Sequence, residues 1–104
     1  MKFVQKVGPF TSNEIIFNEE GVTYLQIGIE YPQSIPISEY ALDEEFNDQT
    51  KIKIQYTVGQ FWREFLITEK DMFEVSLVAS KVNVVVLQNK NPYIIINVAY
   101  DIES

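Results

Sequence analysis

Alternation of apolar and polar positions is clearest between Thr50 and Val58. Ile52, Ile54, Tyr56 and Val58 fall on one face of an extended chain, and Lys51, Lys53, Gln55 and Thr57 on the other. Gly59-Gln60 follows, a Gly-X pair suited to a two-residue hairpin loop, and Phe61–Thr68 is the returning strand. This loop length predicts the pairs Val58/Phe61, Tyr56/Arg63, Ile54/Phe65 and Ile52/Ile67 on the apolar face. Thr57/Trp62, Gln55/Glu64 and Lys53/Leu66 are expected on the other. Arg63 therefore belongs to the apolar face, where stacking on Tyr56 is its expected role.

Strand-like patterns also cover Lys2–Val7, closed by Gly8-Pro9, and Asn13–Asn18 and Val22–Tyr31. The last two flank Asn18-Glu19-Glu20-Gly21, which reads as a turn. Pro32 and Pro36 interrupt regular structure, and Ser38 is placed to cap a short helical turn in the segment that follows. Thr68-Glu69-Lys70-Asp71 has the form of a helix start. A helix over about 69–80 is one expectation there, while Val75, Leu77 and Ala79 fit a strand equally well.

Val82–Gln88 and Tyr93–Tyr100 flank Asn89-Lys90-Asn91-Pro92 and read as a final hairpin that is apolar on both faces. Such a hairpin needs a second cover, either the 69–80 helix or another subunit. The expected fold is a mainly β, antiparallel sandwich or partly open barrel of about seven or eight short strands with one or two short helices. The alternative is an α+β arrangement with one helix over about 69–80 packed on an antiparallel sheet.

Composition narrows the chemistry. At 104 residues the chain is expected to form one small domain, residues 1–104. It contains neither cysteine nor histidine, so disulfides, thiolate chemistry and the commonest neutral-pH acid/base and metal ligand are excluded. The serines (Ser12, Ser34, Ser38, Ser76 and Ser80) lie in no Ser-x-x-Lys or Gly-x-Ser-x-Gly context. Four glycines give no phosphate-cradling motif. The expectation is a protein that is not an enzyme and that uses no cofactor and no metal. No apolar run approaches the roughly 18–20 residues of a membrane helix and no signal peptide is visible, so a cytoplasmic location is expected.

Charge is sorted along the chain. The net charge is −7, from 8 basic and 15 acidic residues. No basic residue occurs between Lys6 and Lys51, and that window holds Glu14, Glu19, Glu20, Glu30, Glu39, Asp43, Glu44, Glu45 and Asp48. Residues 51–104 balance to zero, so the excess belongs to the first half. Such a half repels nucleic acid and anionic lipid and attracts basic protein surfaces. Aromatic residues stand beside the acids at Glu30-Tyr31, Glu39-Tyr40 and Glu45-Phe46, a combination suited to anchoring an interface while carboxylates steer the partner.

The candidate partner-binding residues are therefore Glu39, Tyr40, Asp43, Glu44, Glu45, Phe46 and Asp48, with Trp62 as a further anchor. In composition the chain is similar to phage-encoded nucleic-acid mimics, including anti-CRISPR and repair-enzyme inhibitors. That likeness implies an acidic module docking on the basic groove of a nucleic-acid enzyme, without direct nucleic-acid or membrane contact. The competing expectation is a small assembly component, of the phage head or tail type, that forms a homo-oligomer through its apolar C-terminal hairpin.

Overall fold

The computed structural model describes residues 1–30, 50–68, 71–89 and 94–103. They form six strands, β1 (Lys2–Val7), β2 (Glu14–Glu30), β3 (Thr50–Val58), β4 (Phe61–Thr68), β5 (Met72–Asn89) and β6 (Ile95–Ile102). All neighbours run antiparallel in one open sheet of order β1-β6-β2-β5-β3-β4. There is no helix among the described residues.

The two longest strands, β2 with 17 residues and β5 with 18, are central and pair with each other along most of their length. Each serves two neighbourhoods. Val22–Glu30 of β2 also pairs with β6, whereas β5 pairs with β3 only from Val82 onward. Between these halves the ladder slips in register at Glu19/Val22 and Val22/Tyr24, Gly21 takes φ 71° and Ala79 takes φ 46°. Bulges of this kind bend a strand and sharpen its twist.

The bends fold the sheet onto itself. Val82 is the cross-strand partner of Tyr56 and lies nine residues from Phe73. In a straight strand that separation would be about 30 Å at ~3.3 Å per residue. Yet the rings of Tyr56 and Phe73 are 6.2 Å apart, and those of Phe65 and Phe73 5.3 Å. On the other side Phe17 meets Tyr100 edge to face at 4.8 Å. The product is a sandwich made from a single sheet. One layer holds β1, β6, Val22–Glu30 and Met72–Ser80. The other holds Glu14–Glu19, Val82–Asn89, β3 and β4. Between them lies one core built on Leu25, Ile27, Val98, Ile52, Ile54 and Val84, none more than 1% exposed.

Two bent strands among six make eight straight segments, which is why the pattern reads as seven or eight short strands. The β3–β4 hairpin has the expected register at every pair from Ile52/Ile67 to Val58/Phe61. Other expectations are corrected. Asn18-Glu19-Glu20-Gly21 does not reverse the chain; Gly21 bends β2 while β5 stays paired on both sides. The helix over about 69–80 is replaced by strand from Met72, with Phe73, Val75 and Leu77 half-buried and Met72, Glu74, Ser76 and Val78 exposed. This is a period-2 pattern that β2 completes with a full ladder. The α+β alternative falls with it.

The C-terminal hairpin does not form either. Val84 lies between Phe17 and Ile54, and Ile96 between Lys6 and Ile29. These segments are rich in apolar residues because each is flanked by a strand on both sides, and Val84 and Ile96 are fully buried inside the sandwich. The helical turn expected near Ser38 lies outside the described residues.

Candidate functional site

Seven of the eight residues expected to bind a partner, Glu39, Tyr40, Asp43, Glu44, Glu45, Phe46 and Asp48, lie outside the described residues. Trp62 is described. It stands on the outer face of β4 opposite Thr57 and is 57% exposed. Arg63 is exposed opposite Tyr56, whose ring stacks instead on Phe65 at 5.8 Å and 6° between planes.

The outer face of the β1-β6-β2 layer carries a surface feature that the sequence pattern did not point to. Cross-strand register sets Phe3, Ala99, Gln26 and Glu74 in one row, and Gln5, Asn97, Gly28 and Met72 in the next. The two smallest residues, Ala99 and Gly28, lie inside these rows, and the long side chains stand at their ends. A trough of ≈ 550 Å³ results, walled by Phe3 and Met72. These walls are 76% and 68% exposed. Gly28 leaves the floor open: a Cβ there would rest 3.9 Å from the terminal methyl of Met72. An isolated glycine inside a strand is the sequence signal for such a close approach.

Polar groups along the trough hold one another in place. Gln5 donates from Nε2 to Asn97 Oδ1 (3.1 Å), and Asn97 donates from Nδ2 to Glu30 Oε1 (2.8 Å). Tyr24 donates its hydroxyl hydrogen to Gln26 Oε1 at 3.2 Å. Among the described residues Glu30 is the one charged group that lines the trough, and Glu74 and Asp101 share its face. The Met1 amine sits 3.3 Å from Asp101. Desolvation, a hydrogen bond to Glu74, and the negative charges of Glu74 and Asp101 together push the Tyr24 phenol above its usual pKa.

The other layer differs in charge. Its outer face presents Lys51, Lys53 and Lys81, with Lys53 3.7 Å from Glu64 and Lys81 3.9 Å from Glu20. Its free edge is β4, which among the described residues pairs only with β3, and every residue from Phe61 to Leu66 is exposed. No helix among the described residues is long and apolar enough to cross a membrane. Nor do three carboxylates among those residues converge in a way that would hold a metal ion. No family model matches this chain, and no curated protein or solved structure matches it.

Proposed function

We propose that this chain is a non-enzymatic protein-binding module that docks its acidic side on the basic groove of a partner, and that the partner is a nucleic-acid enzyme which it inhibits in the cytoplasm of the cell. One observation carries the reading. Glu30, Glu74 and Asp101 share an outer face with a trough whose walls are the exposed Phe3 and Met72 and whose lining, among the described residues, includes no lysine or arginine. The aliphatic stem of a partner's lysine or arginine fits between such walls, with its head group at the carboxylate.

In the sequence Glu39, Asp43, Glu44, Glu45 and Asp48 add five further negative charges to the same half of the chain. Charges of this kind act mainly on association rate and specificity, and their effect weakens with salt.

The test is a pull-down from bacterial lysate at low and high salt, with three baits. They are wild type, a variant with Asp43, Glu44, Glu45 and Asp48 changed to Asn or Gln, and a Glu30→Gln/Glu74→Gln variant. A basic nucleic-acid enzyme retained by wild type at low salt, reduced by both variants and lost at high salt, is the expected result. Equal recovery on all three baits would sink the proposal.

A further inference from the structure

We infer that β4 is a seam at which two copies of this chain pair edge to edge, continuing one layer of each sandwich into a shared sheet. The seam belongs to the layer opposite the trough, so it stands independently of the function proposed above.

The free backbone of β4 is the starting point. Val58 and Phe61 close the two-residue loop, and Gly59 has φ 63°, as the first central position of a type II′ turn requires. The closing pair exchanges its hydrogen bonds, so alternate residues from Trp62 onward (Trp62, Glu64 and Leu66) turn their N–H and C=O groups away from β3, whereas Thr68 bonds Asp71 through both its N–H and its C=O. The side chains of Trp62 and Leu66, on the outer face beside these free groups, are 57% and 63% exposed. An edge that is open in its backbone and apolar in its side chains is a template for strand addition.

The sequence of β4 selects the second copy as occupant. Two antiparallel strands related by a two-fold axis place residues of the same face opposite each other, so a residue pairs with one of the same parity. Centring the axis on Glu64 puts Trp62 opposite Leu66 twice, Phe61 opposite Ile67 twice, and Arg63 opposite Phe65 twice. These are aromatic–aliphatic and cation–aromatic pairs, which stabilise cross-strand contacts. Moving the axis to Arg63 sets two guanidinium groups against each other and Trp62 against Glu64. Moving it to Phe65 sets Glu64 against Leu66. At the Glu64 axis the two carboxylates meet, but each already has Lys53 of its own chain at 3.7 Å. The charges then run plus, minus, minus, plus across the seam.

The experiment uses the full chain, whose lack of cysteine makes engineered thiols unambiguous. Sedimentation across a concentration series is expected to reach twice the 12.1 kDa chain mass. Glu64→Cys is expected to cross-link into a dimer under mild oxidation, and Arg63→Cys to stay largely uncross-linked. Leu66→Lys is expected to return the chain to monomer with an unchanged strand circular dichroism and a melting temperature that no longer depends on concentration. A monomer at every concentration would overturn the inference. So would a dimer that survives Leu66→Lys while Glu64→Cys fails to cross-link. Should Leu66→Lys not fold, the cross-linking pair decides alone.

Discussion

Tyr24 is where the negative charge of the trough face acts on a single ionisable group. Its phenol loses a proton less readily in the folded chain than in the unfolded one, because it is partly desolvated and lies beside Glu74 and Asp101. A raised folded-state pKa stabilises the fold fully below the unfolded value of about 10, and that stabilisation is lost as pH rises through the folded value. Tyr24→Phe is therefore expected to flatten the fall in stability above about pH 10 and to remove one tyrosine ionisation step that lies above the usual phenol value, followed at the phenolate absorbance band. A lost step that falls at or below the usual phenol value would show that Tyr24 does not feel those carboxylates. Glu74→Gln should move the wild-type step back toward the usual value, since it removes one hydrogen-bond partner and one of the two charges.

At the scale of elements, the bends in β2 and β5 decide the architecture, and they use opposite residue choices. Gly21 reaches φ 71° without penalty, whereas Ala79 holds φ 46° with a Cβ in place. Gly21→Ala is expected to destabilise by about 1–2 kcal/mol, since the nearest atom to the added Cβ is an Ile102 methyl at 3.8 Å and the cost is conformational rather than steric. Ala79→Gly is expected to be neutral or stabilising by up to about 1 kcal/mol, because relief of the left-handed conformation exceeds the greater freedom of the unfolded chain. Urea denaturation of both variants checks the pair, and equal destabilisation by the two would contradict this account of the bends. These bends also explain what the sequence could disclose. The β3–β4 hairpin was legible to the last pair because strict alternation and a two-residue loop fix register locally. The pairing of Val84 with Phe17 and Ile54 was not, because apolar strands adjacent in sequence look like partners whatever lies between them in space. The trough was hidden for the same reason: Phe3, Gly28, Met72 and Ala99 come from four strands, and only Gly28, set among the alternating residues of β2, hinted at it.

For the whole molecule, the shared long strands mean that neither layer has a core of its own. Leu25 and Ile27 from one layer pack in the same cluster as Ile52, Ile54 and Val84 from the other. A charge at Val84, which is fully buried, is therefore expected to unfold both layers together rather than to loosen one. Val84→Asp should lose its strand circular dichroism and its aromatic near-ultraviolet signal in parallel. Loss of the near-ultraviolet signal alone would mean that the layers separate while keeping their ladders.

Among the described residues β1 pairs solely with β6, and this sets a condition on biosynthesis. Lys2 finds its partner in Tyr100, so β1 leaves the ribosome with no place in the sheet until β6 follows. At ~5–20 residues per second that interval is on the order of 5–20 s. Throughout it Val4, half-buried against the core of the folded chain, lacks that packing, and the nascent protein presents an unpaired strand to whatever chaperone or neighbouring chain is at hand.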